Sequence, residues 1–556
     1  MALKALLTRD HKLIPDKDPR TALTLLALLL AAQIYLIFYK SFNWDEFLHY
    51  SQVYMVKEGA LTSLFQVLHV RILSWVPLVA DSLVDQLILA RFFMWSCTCV
   101  TLAAIYGLAR QFTSQINAIF AAVAYLSAGY VFTHSFSIRA DPMATATLMV
   151  SLYVLAAGRL TLQRAIIVGA LVGLAGMITA KSVFYAPCFA GLAWWRFTRD
   201  GGDWKFIVKL LAIFLAALAS FLLIYTAHKS GLPQAVQAAA SPSATFKGGG
   251  RWFFSEDRFA LFYFAKQSLL AVVFIICLFL APRAWRKEHA DRSALIAMVG
   301  LVAPLLVVIL YRNTFPYFYV FLFAPIAVAI APAIGQFRQR YGNFIALGLF
   351  SVSPLALLIT EPRDVIGRQI AMIDYVHQEY PDKVEYLARS GAIADYPRVI
   401  KSLTTGNGIR AYFESGDPIV AKKITSGELA FVLATQTAIT AALEGRQVPK
   451  AFLDEDIEAL SSNFVQQWGP LYRAGKEIPA GENAFQFEVP HKGSFILDGA
   501  KLSLNGRALT HGKEIVLDAG VHEATGLREN RMILWRGNKL PSKPPGEWIG
   551  GFYTDF

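Results

Sequence analysis

Long apolar runs recur along residues 1–360 of the chain and become rare afterwards. Each run is roughly 16 to 25 residues long, which is the length that an α-helix needs to cross the hydrocarbon core of a bilayer. We therefore predict a polytopic α-helical membrane protein with about eleven transmembrane helices. The predicted spans are residues 21–39, 83–109, 115–132, 142–158, 165–180, 182–196, 206–227, 259–281, 294–311, 317–334 and 343–360.

One more apolar segment, residues 61–80, contains His69, Arg71 and Pro77. These polar and helix-breaking residues favour a helix that lies in the membrane interface rather than a further span. If the segment did cross the membrane, the number of spans would be twelve, and the C-terminal region would move to the cytoplasmic side.

After residue 360 the pattern changes to shorter segments that are separated by turn residues. RQIAMIDYVHQEY is typical of an amphipathic helix, and VEYLA and ELAFVLA are typical of strands, so we predict a soluble α/β segment at residues 361–480. From residue 481 to 556, short runs such as NAFQFEVP, GSFILDG and RMILWRG predict a small antiparallel β-sandwich. Taken by itself, this last segment is expected to be a structural or glycan-contacting appendage to a transmembrane domain of residues 1–360.

The charged residues predict how the helices are oriented. The chain has 52 Lys and Arg residues against 40 Asp and Glu residues, and most of this excess lies in short loops between the apolar runs. With a cytoplasmic N-terminus, the basic loops around Arg110, Arg159, Arg286 and Arg338 all face the cytoplasm, as the positive-inside rule requires. An odd number of spans then places the C-terminal region on the opposite side.

Composition excludes several other classes of protein. The mean hydropathy of +0.44 is outside the range of soluble proteins. Because the basic residues sit in loops that orient helices, they do not indicate nucleic-acid binding. The four cysteines, Cys97, Cys99, Cys188 and Cys277, all lie in apolar runs, so we expect small buried side chains rather than a disulfide framework or a thiol or zinc site.

Two adjacent carboxylates, Asp45 and Glu46, directly follow the first predicted span. They fit two interpretations. Both carboxylates could stabilise the start of a helix in the segment EFLHYSQVYMVKEG, where negative charge is favourable. Alternatively, one of them could act as a general base on the outer side of the membrane.

Three cations are predicted on the same outer side, where the positive-inside rule disfavours them: Arg139, Lys181 and Arg312. Each one alone could be an interfacial residue or an ion-pair partner of a nearby carboxylate such as Asp141. Together, and with carboxylates beside them, they predict a site that holds a phosphate group at the lipid boundary while a base acts next to it.

The outer segment 228–258 adds Arg251 and Arg258 around a run of three glycines. Glycine has a permissive backbone, so this segment is expected to be flexible. The pattern of this segment is equally consistent with a lid over the site and with a simple linker.

With these features, the sequence resembles the GT-C superfamily of membrane glycosyltransferases. It is similar in particular to the group of protein O-mannosyltransferases and bacterial aminoarabinose-lipid A transferases. The resemblance covers residues 21–360. It is carried by four short motifs, which are Asp45-Glu46, Arg139-Ala140-Asp141, Ala180-Lys181-Ser182, and Arg312 ahead of Pro316-Tyr317-Phe318-Tyr319. Where the family's lysine turn often continues with Gly-Pro, this chain has Ser182-Val183.

The resemblance implies a multi-pass protein of the bacterial inner membrane with its C-terminal region in the periplasm. It implies that a sugar moves from a polyprenyl-phosphate donor to a lipid, glycan or occasionally protein acceptor. We predict that no metal or other cofactor is needed, because the sequence has no clear acidic cluster suited to a divalent cation beyond Asp45, Glu46 and Asp141. The implied roles are a catalytic pair at Asp45 and Glu46, with Asp45 as the base, and donor-phosphate binding by Arg139, Lys181 and Arg312. Supporting roles are implied for His134, Asp141, Arg251, Arg258 and Tyr319.

Two other functions remain open at the level of sequence. A transporter or lipid flippase would also have many spans and a few outer charges, but such proteins favour ionisable residues near the middle of the bilayer and paired halves. The chain has almost no such residues and no internal repeat. The other possibility is a catalytically inactive, glycan-binding scaffold with a GT-C-like fold.

Overall fold

In a computed structural model of the protein, the contacts within the chain define two units. The structure describes residues 19–61, 63–64, 66–239, 272–289, 291–311, 315–404, 406–481, 484–526 and 530–554. The membrane unit consists of the described residues up to Lys40 and from Met55 to Glu361. The C-terminal unit consists of Ser41–Tyr54 and the described residues from Pro362 onwards.

α-Helices dominate the chain as far as residue 361. They are α1 (Arg20–Tyr39), α2 (Trp44–Lys57), α3 (Leu68–Ile72), α4 (Leu83–Ala109), α5 (Gln115–Leu126), α6 (Tyr130–His134), α7 (Ala140–Ala156), α8 (Leu162–Ile178), α9 (Ala186–Arg199), α10 (Trp204–Ser230), α11 (Gln234–Ala239), α12 (Val272–Glu288), α13 (Arg292–Val302), α14 (Val307–Leu310), α15 (Phe318–Tyr341) and α16 (Asn343–Thr360). Short 3₁₀ helices occur at Leu73–Leu78, Ala180–Tyr185 and Ala303–Leu306.

Six helical segments in the described part of the chain are long and apolar enough to cross a membrane. They are Arg20–Tyr39, Leu83–Ala109, Trp204–Ser230, Arg292–Ile309, Phe318–Tyr341 and Asn343–Thr360. The chain is therefore a multi-pass membrane protein. The number is below eleven because other predicted spans form shorter apolar helices, such as the 12-residue α5 and the 17-residue α8. The predicted span 259–281 lies within the described residues only from Val272 onwards.

The predicted span 115–132 is interrupted in the structure. Helix α5 ends at Leu126, and the chain turns through Gly129, whose φ of 50° is strained for other residues, before α6 begins. Among the described residues of the segment 61–80, the helical stretch is Leu68–Leu78, which is too short to cross a bilayer. Its position in the membrane interface stays a prediction.

Helix α15 forms the centre of the membrane unit, since every residue from Phe318 to Gly335 is buried. Pro325 interrupts the hydrogen-bond ladder of this helix, because proline cannot donate a hydrogen bond to the carbonyl of Phe321. The hydroxyl of Tyr185 donates to that carbonyl at 2.6 Å. A buried carbonyl freed by proline is thus satisfied by a neighbouring side chain, as an apolar environment requires.

The end of α1 is held by two side chains of the membrane unit. The fully buried guanidinium of Arg91 donates to the carbonyls of Ile37 and Lys40, at 3.1 and 2.7 Å. These last-turn carbonyls have no partner inside the helix, so Arg91 satisfies them. The Lys40 ammonium also forms an ion pair with Glu361 at 2.9 Å, which joins the two points at which the chain leaves the membrane unit.

Helices α8 and α10 pack closely through small residues. A Cβ atom at Gly169 would overlap the carbonyl oxygen of Ile213, and one at Gly173 would overlap that of Ala217. The two glycines form a GxxxG pattern, which lets helix backbones approach each other in a membrane. The hydroxyl of Ser220 donates across this interface to the carbonyl of Ala170 at 3.0 Å.

The C-terminal unit combines helices with two β-sheets. Its further helices are α17 (Asp364–Glu379), α18 (Gly406–Ser415), α19 (Ile419–Thr425), α20 (Thr437–Leu443), α21 (Asp454–Asn463) and a 3₁₀ helix, Lys401–Thr404. Its strands are β1 (Glu385–Ala388), β2 (Leu429–Leu433), β3 (Phe464–Trp468), β4 (Leu471–Ile478), β5 (Phe485–Val489), β6 (Gly493–Asp498), β7 (Lys501–Leu504), β8 (Arg507–Thr510), β9 (Glu514–Leu517), β10 (Gly520–Thr525) and β11 (Met532–Arg536). These positions confirm the predicted helix and strands.

One sheet has seven strands in the order β1-β2-β4-β11-β6-β9, with β3 also paired to β4, and the other has the order β5-β10-β7-β8. Strands β1 and β2 are parallel, and the remaining pairs are antiparallel. Leu497 and Leu534 of the first sheet share a core with Phe487 and Leu504 of the second, so the two sheets pack as a sandwich. Because β4 pairs with β11, one continuous sheet extends across the predicted boundary at residue 480.

The close approach of α8 and α10 predicts that Gly173→Val destabilises the protein. The added side chain would overlap the backbone of α10, and overpacking of this kind costs roughly 1–3 kcal/mol. Thermal unfolding in detergent should show the loss. Gly348→Val is the matched control, because no atom lies near the position of a Cβ at Gly348. Equal stability of the two variants would contradict the close packing.

Candidate active site

The segment that precedes α7 is buried within the membrane unit. All residues from Val131 to Ala140 are buried, although several of them are polar. Gln33 of α1 donates to the carbonyl of Phe132 at 2.9 Å and to the hydroxyl of Ser135 at 2.7 Å. Thr98 of α4 donates to the carbonyl of Ser135 at 2.7 Å. These hydrogen bonds from two apolar helices fix the loop that carries Arg139.

Arg139, Asp141 and Lys181 form one ion-paired cluster. Arg139 has an extended backbone directly before α7, and its Nε lies 3.4 Å from Oδ2 of Asp141. The Nζ of Lys181, on the 3₁₀ helix Ala180–Tyr185, lies 2.7 Å from Oδ1 of the same carboxylate. The side chain of Asp141 is 2% exposed, and those of Arg139 and Lys181 are 11% exposed. One carboxylate thus orients two cations, and the cluster keeps one net positive charge.

Aromatic residues near the start of α15 cover the two cations. The guanidinium carbon of Arg139 lies 3.2 Å from the ring centroid of Tyr317. The Nζ of Lys181 lies 5.6 Å from the centroid of Tyr317 and 5.3 Å from that of Phe318. Such contacts stabilise a cation that has lost part of its hydration shell. Tyr317 belongs to an aromatic motif that is visible in the sequence, but its role could not be predicted, because contacts between distant segments are not visible there.

His69 is a further neighbour of this cluster. It lies on the short helix α3 and is fully buried. The pKa of His69 is lowered to about 3, mainly by burial; the charges of Arg139 and Lys181 also lower it, and that of Asp141 raises it. The imidazole is therefore neutral near pH 7, so it adds a polar group to the cluster but no charge. In the sequence, this residue is visible only as a histidine inside an apolar run.

Two predicted supporting residues, His134 and Tyr319, lie on either side of Tyr130. The ring of Tyr130 is 6.0 Å from that of His134 and 5.9 Å from that of Tyr319. Three other predicted site residues, Arg312, Arg251 and Arg258, lie outside the described residues.

Asp45 and Glu46 lie in the first turn of α2 and belong to the C-terminal unit. Both side chains are buried. The side-chain oxygen of Asn43 accepts from the backbone N–H of Asp45 at 3.0 Å, and the carboxylate of Glu46 accepts from the backbone N–H of Asn43 at 3.0 Å. This reciprocal pattern is a capping box. It uses the carboxylate of Glu46 and does not use that of Asp45.

The structure therefore brings the predicted residues together in two groups. Arg139, Asp141 and Lys181 are in direct contact in the membrane unit, and Asp45 and Glu46 are adjacent in the C-terminal unit. The first group can stabilise an anion, because it is pre-ordered, largely dehydrated and positively charged. Of the second group, Glu46 has a defined structural task as a cap. The predicted convergence of Asp45 with the cations stays a prediction.

The shared carboxylate predicts that Asp141→Asn destabilises the protein, because two buried cations lose their common partner. Removal of one member of a buried ion pair typically costs about 3–5 kcal/mol. Adding Lys181→Met to this variant should recover part of the loss, since it removes one of the uncompensated charges. Thermal unfolding of the two single variants and the double variant measures the coupling. If the two losses simply add, the residues are not coupled.

The sequence matches no described protein family and no curated protein. Among solved structures, ArnT from Cupriavidus metallidurans bound to undecaprenyl phosphate is similar with a TM-score of 0.54 and 12% identity, over 76% of this chain and 94% of that chain. The apo state of the same protein gives a TM-score of 0.52 and 14% identity with the same coverage. An oligosaccharyltransferase from Archaeoglobus fulgidus in the apo form gives 0.44 and 12%, over 80% of this chain and 73% of that one.

At this level of identity, the likeness to ArnT concerns the path of the chain and not the chemistry of the site. It extends over most of both chains, so it includes more than a set of apolar helices. This protein therefore shares the fold of ArnT, in agreement with the fold that the resemblance of its sequence motifs implies.

Proposed function

We propose that the protein is an inverting glycosyltransferase. It transfers a sugar from a polyprenyl-phosphate donor to a hydroxyl group of a cell-envelope acceptor, on the outer face of the bacterial inner membrane. The observation that carries this proposal is the buried cluster of Arg139, Asp141 and Lys181, which keeps one net positive charge in an apolar helical unit. A ligand that suits it has one anionic group and a long apolar tail.

A polyprenyl-phosphate sugar has both features. When the sugar leaves, the polyprenyl phosphate departs as an anion and needs cationic stabilisation more than it needs a proton. A guanidinium presents several donors in a plane that matches phosphate oxygens, and an ammonium adds a compact charge. The structure of ArnT with undecaprenyl phosphate supports this donor class, because a protein of the same fold binds such a lipid.

In the proposed reaction, the carboxylate of Asp45 accepts the proton of the acceptor hydroxyl. The hydroxyl oxygen then forms a bond to the anomeric carbon, and the bond between that carbon and the phosphate oxygen breaks with both electrons going to the phosphate. This single displacement inverts the anomeric configuration. Glu46 holds the first turn of α2 through the capping box, so its part is structural.

The remaining predicted residues have supporting roles in this proposal. Arg312 would contribute a third cation to the donor phosphate, and His134 and Tyr319 would line the region beside the buried outer loop. Arg251 and Arg258 would contact the substrates from the segment between α11 and α12. The reaction as proposed needs no metal and no other cofactor. The acceptor class comprises lipid A or lipopolysaccharide, polysaccharide and protein, and the C-terminal unit is proposed to be periplasmic.

The different tasks of the two adjacent carboxylates can be tested by substitution. We expect Asp45→Asn to lower the rate of sugar transfer by at least about 100-fold, because general base catalysis contributes roughly that much or more. Glu46→Gln should keep most of the activity, since glutamine also completes a capping box. Purified protein, radiolabelled polyprenyl-phosphate sugars and membrane acceptors provide the assay.

Glu58→Gln is the matched control, because Glu58 is exposed just after the same helix. Full activity of a folded Asp45→Asn variant would show that Asp45 is not the base. If the unmodified protein moves labelled lipid across vesicles without any sugar transfer, a flippase is the better explanation.

The donor site can be tested by binding alone. Lys181→Gln should weaken the affinity for polyprenyl phosphate by about tenfold or more, since a hydrogen bond to a charged group contributes roughly 1.5–3 kcal/mol. Titration of the detergent-solubilised protein with polyprenyl phosphate measures this affinity. Lys205→Gln, which changes an exposed lysine in the first turn of α10, should leave it unchanged. Equal affinities of the two variants would contradict the assignment.

A further inference from the structure

A glutamine of α17 connects the segment before α2, the helix that carries Asp45, to other parts of the C-terminal unit. Gln369 is fully buried. Its Oε1 accepts from the backbone N–H of Phe42 at 2.7 Å, and its Nε2 donates to the backbone carbonyl of Phe42 at 2.8 Å. The same Nε2 donates to the carbonyl of Phe552 at 2.8 Å. One side-chain amide thus joins α17, the segment before α2 and the C-terminal segment of the chain.

The two bonds to Phe42 constrain the backbone more than a single bond would. The N–H of Phe42 belongs to the peptide plane before its Cα, and the carbonyl belongs to the plane after it. Gln369 therefore fixes the orientation of both planes. The second plane leads directly to Asn43, which caps α2 and bonds the N–H of Asp45. Gln369 is thus connected to the first turn of α2 through its hydrogen bonds to Phe42, the peptide bond from Phe42 to Asn43 and the hydrogen bond between Asn43 and Asp45.

Packing within the C-terminal unit supports this arrangement. The ring of Phe47 lies 5.5 Å from that of Phe42, 6.1 Å from that of Phe552 and 6.2 Å from that of Tyr553. On the other side of Asp45, the guanidinium carbon of Arg389 lies 4.6 Å from the ring centroid of Trp44. The residues on both sides of Asp45 are therefore held by parts of the chain beyond residue 361.

Gly391 shows how closely this part of the C-terminal unit approaches α2. A Cβ atom at Gly391 would overlap the Cβ of Ser51, and it would lie 3.2 Å from the carbonyl oxygen of Phe47. The absence of a side chain at this position therefore determines where α2 lies in the unit. The backbone of Gly391 does not have a positive φ, so an alanine there would act through contact alone.

We propose that Gln369 is a positioning residue, which sets the direction of the Asp45 carboxylate through Phe42 and Asn43. This inference rests on the proposed function, in which Asp45 is the base. It gives the C-terminal unit a part in catalysis, in contrast to the structural or glycan-contacting appendage that the sequence predicts for its β-sandwich. A base must be held in reach of its proton, and a displacement of about 1 Å can lower a rate 100-fold.

Gln369→Met tests the inference, because methionine keeps the approximate volume of the side chain and removes the three hydrogen bonds. We expect kcat to fall by about 100-fold. The affinity for polyprenyl phosphate should change by less than about twofold, since the donor residues belong to the membrane unit. Gln466→Met is the matched control, because Gln466 forms a hydrogen bond to Gly469 in the same unit.

A second pair of variants separates displacement of α2 from general misfolding. Gly391→Ala should lower kcat by pushing on Ser51, and Gly391→Ala combined with Ser51→Gly should restore part of it, because the overlapping Cβ is then absent. A purely destabilising effect would become worse in the double variant, since glycine within a helix is itself destabilising. Failure of the rescue would overturn the positioning role.

Hydrogen exchange tests the positioning role of Gln369 independently of the proposed function. In Gln369→Met, amides of residues 42–54 should exchange at least about tenfold faster than in the unmodified protein, because their local opening becomes easier. Gln466→Met should leave them unchanged. If exchange is unchanged in Gln369→Met, the positioning inference fails even if the enzyme transfers sugar. If exchange responds but no polyprenyl-phosphate sugar is used, the proposed function fails and the structural link stands.

Discussion

The need to pair every charged or hydrogen-bonding group that is withdrawn from water governs the membrane unit. Asp141 neutralises one of two buried cations and orients both. Arg91 satisfies the terminal carbonyls of α1, and Tyr185 satisfies the carbonyl that Pro325 leaves without a donor. The candidate donor site follows the same rule, because both of its cations contact the carboxylate of Asp141.

The parts of the fold that depend on local pattern could be predicted from the sequence. The length of the apolar runs predicts helices such as α4 and α15, and short alternating runs predict strands such as β6 and β11. The break at Gly129 was missed because an apolar run does not reveal a turn inside it. The sheet that continues across residue 480 was missed because pairing between β4 and β11 depends on contacts that are distant in sequence.

Some residues of the candidate site could likewise be predicted from the sequence, and others could not. Arg139 and Lys181 could be identified because they are cations on the side that is predicted to be outer, where the positive-inside rule disfavours them. In the structure both contact the carboxylate of Asp141. Tyr317 and His69 could not be identified, because an aromatic residue and a histidine in apolar segments are ordinary until their neighbours are known. For Asp45 and Glu46, the structure supports the helix-start interpretation, because the carboxylate of Glu46 takes part in the capping box. The role of Asp45 as a base stays a proposal.

The discontinuous make-up of the C-terminal unit bears on how such a protein can evolve. Phe42, Phe47 and Tyr50 are buried as part of a unit that otherwise begins after Glu361. A gene fusion or deletion at residue 361 would therefore not add or remove a complete module, because fourteen residues near the N-terminus, Ser41–Tyr54, would be left unmatched. Recombination between related genes would have to exchange both pieces together, so the two pieces are expected to share one evolutionary history.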